Sequence, residues 1–405
     1  MTVLFICDEY PPGNNGGIGT TVQNLGRELV QQGHQVLVAG LYAYRYKEKD
    51  YEEDQGVRVW RKRYGLNLHL PSRSKWYTAL ERLPDPMKKR LNGQRAFRAF
   101  VDFIRELIST HRVDVIEIAD FNSFAMYIGF KVEWPLFDVP LVLKSHGSYT
   151  YFCRELGEVP HPKFEAIDKA LYARADAYSC VSHYTATANE RLFGLQRPMK
   201  VLYNGIHVPA EASSQREAFS VVFSGTLVYK KGIFSLIKAW NAVHSRYPKA
   251  RLFVYGKGSH TRLKKLLSPE SAASVEFAGH VSRPDLLDKL KTATLAVFPS
   301  YSETFGMGVV EAMSMGCPVI YTKRSCGPEI VKQGIEGLLV DPDQPGEITQ
   351  AISQLFDSAE LRDRLAQQAY QGVQNRFRID HSAKDHVQFY SDVIQEFKLK
   401  KATHR

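Results

Sequence analysis

Short apolar runs alternate with amphipathic stretches from one end of the chain to the other. Runs rich in β-branched and aromatic residues, bounded by Gly, Pro, Asn or Ser, predict strands at 2–7, 35–41, 57–60, 113–118, 140–144, 177–181 and 200–203. The same signal returns at 219–224, 250–256, 275–278, 294–298, 318–321 and 337–340. Between these runs apolar positions recur at helical spacing, as at 20–32, 95–109, 233–245 and 306–315. Strands that alternate with helices form βαβ units, and βαβ units build parallel sheets. VLFIC (3–7) and SVVFS (220–224) are apolar at successive positions, as strands covered on both faces must be. The pattern predicts an α/β protein.

At 405 residues the chain exceeds what a single hydrophobic core usually organises, so two domains are expected. The boundary falls at VPAEASSQREAF, residues 208–219, a polar stretch that separates two series of strands and helices. Each series opens alike, with an apolar strand, a Gly-bearing loop and a helix. The expected domains are 1–207 and 208–380, with a final helical stretch from 381 to 405 packing back on the first. Residues 61–94 show no clear period. Two such units joined by one linker imply a cleft, and ligands of parallel sheets bind at the C-terminal strand ends, beside helix N-termini.

The strongest chemical signal is PSYSETFGMGVVEAMSMGCPVI, residues 299–320. Glu303 sits at the mouth of a helix and Glu311 inside it, with Thr304-Phe305-Gly306-Met307-Gly308 beginning the intervening stretch. Unpaired amides at a helix N-terminus suit a diphosphate. A carboxylate accepts hydrogen bonds from vicinal hydroxyls, as on a ribose or hexose. A bare pair of glutamates is more often two solvated acids; the flanking glycines, proline and apolar runs argue otherwise here.

This segment resembles the signature of the retaining family 4 glycosyltransferases, and further matches follow in the family's order. EYPPGNNGGIGT (9–20) resembles their N-terminal glycine loop, KSHGS (144–148) their strand-end His-Gly, and YNGI (203–206) the stretch before their linker. SGTLVYKKG (224–232) resembles their phosphate loop, and FAGHV (277–281) a strand end beside the nucleotide base. The resemblance implies the GT-B architecture: two Rossmann-like domains whose parallel sheets face across a cleft. It implies that Glu311 binds the donor ribose, and that Glu303, with Thr304 and the amides of Phe305, Gly306 and Met307, holds the donor sugar. Gly225, Thr226 and Lys231 would meet the diphosphate, Gly16 and Gly17 would approach it from the other domain, and His146 would lie beside the transferred sugar. His146, Lys231 and Glu303 are thereby the expected catalytic residues. Where the family carries Arg after the loop glycine this chain has Thr226, replacing a bidentate donor by a hydroxyl, with Lys230 as a further source of charge.

The chemistry so implied is transfer of a hexose-type sugar from a nucleotide-diphosphate sugar, UDP- or GDP-linked, with retention and without metal or other cofactor. A nucleoside diphosphate leaves readily, so fixed positive dipoles at its phosphates suffice. Asp341-Pro342-Asp343 mimics a metal motif, but Pro and the following Gln-Pro-Gly mark a turn. Glu117 and Asp120 are either acceptor contacts or solvated loop acids.

Charge adds one clue. The net charge is +10, and residues 58–112 alone hold 14 Lys and Arg against 4 Asp and Glu. Trp60, Tyr64, Leu66, Leu68, Leu70, Trp76 and Tyr77 are interleaved there. The segment is either a solvated basic face or a docking surface for an anionic, lipid-linked acceptor at a membrane. It carries no nucleic-acid motif, so no nucleic-acid partner is expected. Competing readings are a nucleotide-sugar epimerase or phosphorylase-like enzyme, and a non-enzymatic binder of anionic surfaces or nucleic acid. The opening MTVLFICDEYPP lacks a basic region before its apolar run and predicts a first strand, not a leader. With no apolar stretch long enough to cross a bilayer, the expected location is the cytoplasm, at the inner face of a membrane if the basic segment docks there. Five scattered cysteines form no CxxC pair and suggest neither disulfides nor zinc.

Overall fold

The computed structural model of the chain describes residues 1–12, 16–43, 46, 48–64, 85–122, 133–213 and 215–403. It divides into two compact units: Met1–Val181 with Ala186–Gly205 and Ser382–Arg405, and Ser182–Thr185 with Ile206–His381.

The first unit is built on β1 (Thr2–Ile6), β2 (Gln35–Ala43), β3 (Tyr51–Asp54), β4 (Val57–Tyr64), β5 (Val115–Ala119), β6 (Leu141–Ser145), β7 (Ala177–Cys180) and β8 (Lys200–Val201). Their order is β3-β4-β2-β1-β5-β6-β7-β8, parallel throughout except for β3. The second unit carries β9 (Ser220–Ser224), β10 (Arg251–Tyr255), β11 (Val275–Gly279), β12 (Leu295–Phe298), β13 (Val319–Thr322) and β14 (Leu338–Val340). Its order is β11-β10-β9-β12-β13-β14, all parallel. Each sheet winds outward in one direction and then reverses, between β1 and β5 in the first and between β9 and β12 in the second. Such a reversal leaves a crevice at the carboxyl ends of the two central strands.

Every apolar run read as a strand lies on one. β3 has no counterpart in that reading because its residues, YEED, are exposed at alternate positions on a sheet edge. The stretch 61–94 proves partly regular: β4 continues to Tyr64 and a helix, Asp85–His111, begins before 94. Residues 65–84 lie outside the described residues.

Successive strand residues feed opposite faces, which is why the runs are apolar throughout. On one face of the first sheet Leu4, Ile6, Ile116 and Leu143 meet Phe100, Ile104 and Leu107 of helix Asp85–His111. On the other, Val3, Phe5, Val38 and Val142 meet Leu25 and Leu29 of helix Gly17–Gln31 and Ala383, Tyr390 and Val393 of helix Ile379–Thr403. Polar groups are buried in this second interface. Lys144 Nζ lies 2.6 Å from His386 Nε2, and His386 Nδ1 lies 2.6 Å from the Ser382 carbonyl, so the ring donates at Nδ1 and accepts at Nε2. Tyr390 donates its hydroxyl to Glu117 at 2.7 Å. In the second unit Trp240 and Leu236 of helix Ile233–Arg246 and Ile352 of helix Pro345–Asp357 pack with Val221, Phe223 and Val297. All five cysteines are buried free thiols.

Candidate functional site

In the second unit the two loops leaving the central strands come together at the sheet reversal. The loop after β9 closes in a short 3-10 turn, Tyr229–Lys231. The loop after β12 runs through Ser300 and Glu303 into helix Met307–Ser314. Lys231 Nζ lies 2.6 Å from Glu303 Oε1, to which Ser300 also donates at 2.9 Å. The Glu303 amide donates to Ser325 Oγ at 3.0 Å, which fixes the backbone beneath the pair.

Gly306 caps the helix at φ +85°, and a Cβ there would stand 2.2 Å from the Tyr321 hydroxyl, so no other residue fits without displacement. No side chain caps this end, leaving its first amides to a ligand. Phe305 is buried edge-to-face on Phe377, 5.3 Å between centroids, so it offers backbone and not side chain. The Thr304 carbonyl accepts from Thr185 at 3.3 Å, and Met307 opens the helix half-buried.

Glu311 lies inside that helix, 9% exposed. Arg283 Nε donates to its Oε1 at 2.8 Å. Burial pushes the Glu311 carboxyl up and the Arg283 charge opposes it. In the loop after β9 Thr226 is exposed, while the Gly225 amide is engaged by the Tyr255 carbonyl at 2.9 Å. Burial, then the charge of Lys231, brings the Lys230 ammonium down to about 8. Of the two lysines, Lys231 makes the ion pair with Glu303.

In the first unit His146 and Gly147 follow β6. Both amides donate to Asp120, at 2.9 and 3.2 Å, as do the hydroxyls of Ser145 at 2.6 Å and Tyr172 at 3.3 Å. Asp120 is therefore not a solvated loop acid: it is buried and organises the strand end. Glu117 is likewise buried, against Tyr390. Burial raises the Asp120 carboxyl to about 6. Burial and then the Lys144 charge hold the His146 imidazole well below its usual range, so it is neutral at pH 7.

Gly16 caps helix Gly17–Gln31, but the space above it is filled: a Cβ would meet the Glu9 carboxylate at 2.1 Å. At Gly17 a Cβ would meet nothing within 4 Å. Glu9 is pushed up to about 7 by burial and by Asp8, against a hydrogen bond from the Gly19 amide. Gly13, Asn14 and Asn15 of this loop lie outside the described residues.

Asp341 and Asp343 both pair with Arg324, and Tyr301 donates to Asp343 at 2.9 Å, so this turn is held by charge. Among the described residues no three His, Cys, Asp or Glu side chains converge as a metal's ligands would. Sequence reading missed Arg283, Glu9 and the role of Asp120. Arg283 stands two residues beyond the FAGHV stretch, and Glu9 begins the EYPP stretch, but no local period marks either.

Residues 15–208 match the model of Glycosyltransferase Family 4, and residues 209–372 that of Glycosyl transferases group 1. An uncharacterized glycosyltransferase of Methanocaldococcus jannaschii is 24% identical over 98% of this chain and 99% of its own. Among solved structures, sucrose-phosphate synthase from Thermosynechococcus elongatus aligns with a TM-score of 0.73 and 19% identity, covering 98% of this chain and 99% of that one. Anabaena HepE, solved in complex with UDP and glucose, aligns with a TM-score of 0.69 and 17% identity, covering 97% and 100%. The two matched families meet within the polar linker region and account for most of the chain, on two doubly wound sheets of the kind these structures share. The chain belongs to the family 4-type glycosyltransferases of the GT-B fold.

Proposed function

We propose that this glycosyltransferase uses a nucleoside-diphosphate sugar, UDP- or GDP-linked, and transfers its sugar to an acceptor hydroxyl with retention and without a metal ion. The observation that carries the reading is the Lys231–Glu303 pair beside the uncapped helix at Gly306, with Glu311 in the same helix. Cleaving the glycosyl–phosphate bond places negative charge on the departing diphosphate and positive charge on the ring. Lys231 and the first amides of helix Met307–Ser314 stabilise that anion in this reading. Glu303 holds donor-sugar hydroxyls, and Glu311 binds the ribose. His146, neutral, can donate or accept a hydrogen bond to a sugar hydroxyl without adding charge. In the retaining reaction the leaving phosphate accepts the proton of an acceptor that attacks from its own side. The UDP complex of Anabaena HepE supports a nucleotide donor of this class. The basic segment supports an anionic or lipid-linked acceptor, and the protein then acts in glycan, polysaccharide or glycolipid synthesis from the cytoplasmic side.

A panel of UDP- and GDP-sugars, read by the rise in melting temperature, tests the donor. One donor should raise it above the others, and Glu303→Ala should lower kcat for that donor. No shift with any nucleotide sugar overturns the reading. Activity should survive EDTA, and the product should keep the donor's anomeric configuration by NMR. Loss on chelation with recovery in magnesium or manganese, or an inverted product, overturns the metal and retention parts.

A further inference from the structure

We infer that Arg283 is a further positioning and specificity residue of the nucleotide site, orienting Glu311 and itself donating to a ribose hydroxyl. This rests on the nucleotide-donor reading above and names how that donor is selected.

Arg283 opens helix Arg283–Thr292, whose first turn is fixed by Ser282 accepting from the Asp285 amide and by Pro284. A cation in the first turn of a helix lies against the positive end of its dipole, where acids are preferred. The position is explained by what the side chain reaches. Its Nε donates to Glu311 Oε1 at 2.8 Å, joining helix Arg283–Thr292 to helix Met307–Ser314. The carboxylate side chain is 11% exposed and the guanidinium 35%. A charged group so covered needs a partner, and the Arg283 guanidinium is that partner.

The pairing uses one edge of each group. A guanidinium has five N–H donors in a rigid fork. Among the described residues the only hydrogen bond recorded for Arg283 is from Nε, so its terminal nitrogens remain for a ligand. Glu311 keeps its second oxygen. Side by side, one acceptor and one set of donors match a vicinal diol, where one hydroxyl gives a proton to the carboxylate and its neighbour receives one from the guanidinium. A 2′-deoxyribose lacks one of the two partners and leaves a polar group unpaired. Arg283 is thus a positioning and specificity residue of the donor site, acting partly through Glu311.

The experiment is calorimetric titration of the full chain with UDP, GDP and their 2′-deoxy forms. The variants are Arg283→Met, Arg283→Lys and Glu311→Gln, each first checked for an unchanged melting temperature without ligand. The wild-type protein should bind one ribonucleotide about tenfold or more tightly than its 2′-deoxy form, the loss of one charge-assisted hydrogen bond. Arg283→Met and Glu311→Gln should each weaken the ribonucleotide and abolish the preference, and Arg283→Lys should restore part of it. If Glu311→Gln abolishes the preference while Arg283→Met keeps wild-type affinity and preference, the role of Arg283 is overturned and the donor site stands. If the wild-type protein binds neither nucleoside diphosphate, the donor reading falls and this inference with it. A melting temperature lowered in Arg283→Met, with the ribose preference intact in the folded fraction, reduces the contact to a structural one and also overturns it.

Discussion

At Asp120 one carboxylate holds two backbone amides and two hydroxyls, and with them the segment on which His146 stands. Burial raises its carboxyl to about 6, above its ordinary value of 3.8. The sign follows: this group favours the fold below its ordinary value, and the contribution is lost as pH rises through about 6. The ionised form, however, is the one that accepts four hydrogen bonds. Activity should therefore fall as pH drops through about 6, where Asp120 takes up a proton and loses acceptor capacity toward the His146 segment. Asp120→Asn places an amide nitrogen against a donor at one of the two oxygens. It should cost about 1–3 kcal/mol of stability and on the order of a hundredfold in kcat. The variant's kcat should also be flat across the acid limb; a pH–rate profile like the wild type's would show that another group, such as Glu9, sets that limb. At the phosphate loop, Lys231→Ala should weaken nucleoside-diphosphate binding by about 1.5–3 kcal/mol, and Lys230→Ala by less. Equal, negligible losses measured by titration would remove this loop from the site. Glu303 and Glu311 were legible because glycines, a proline and an apolar helix surround them. Arg283 and Asp120 were not, since their partners lie 28 and 26 residues away on other elements and no local spacing announces such pairs.

At the scale of elements, helix Ile379–Thr403 is fastened to the first sheet by apolar contacts and by two buried polar pairs, Lys144–His386 and Glu117–Tyr390. Lys144 sits two residues before His146, so the helix supports the strand that leads to it. Burial, then Lys144, holds the His386 ring well below its usual range, which keeps Nε2 an acceptor for the ammonium. Removing His386 takes a hydrogen-bond acceptor from the buried Lys144 ammonium, which keeps the nearby Glu117 charge. His386→Leu should cost about 1.5–3 kcal/mol in denaturant unfolding of the first unit, and Lys144→Met in the same protein should recover part of it. Tyr390→Phe should cost about 1–3 kcal/mol by leaving the Glu117 oxygen unpaired. Costs below about 0.5 kcal/mol in both single variants would mean that apolar contacts alone hold the helix. The strands were legible because parallel strands covered on both faces are apolar residue after residue. β3 escaped because an exposed edge strand has no apolar face, and the polar pairs escaped because their partners are far apart in sequence: Lys144 and His386 lie 242 residues apart.

For the whole molecule the open matter is the basic segment, whose excess of Lys and Arg equals the net charge of +10. The structure withdraws part of it. The Arg61 side chain is fully buried, donating to the Pro11 and Lys49 carbonyls and pairing with Glu52. Arg63 pairs with Asp50 and with the carbonyls of Tyr46 and Glu48. Trp60 packs with Tyr51, Phe103 and His111, so it too is structural. Lys62 is exposed, its ammonium 3.9 Å from the Phe103 ring centroid. Leu66, Leu68, Leu70, Trp76 and Tyr77 lie outside the described residues, as do the side chains of Tyr64, Lys88, Lys89 and Arg90. No helix of the described residues is long and apolar enough to cross a membrane. Arg61 and Arg63 are thereby engaged within the fold, while Lys88, Lys89 and Arg90 lie on helix Asp85–His111. The full chain should bind anionic vesicles at low salt, release them as salt rises, and ignore neutral ones. At roughly 1 kcal/mol per basic residue near the surface, reversing Lys88, Lys89 and Arg90 to Glu should weaken binding by two orders of magnitude or more. Nucleoside-diphosphate affinity should not change. Arg61→Glu should instead lower the melting temperature, because it sets two acids against each other in a buried pair. A wild-type protein that leaves anionic vesicles unbound at low salt would end the membrane reading, and a soluble sugar, metabolite or protein would become the expected acceptor.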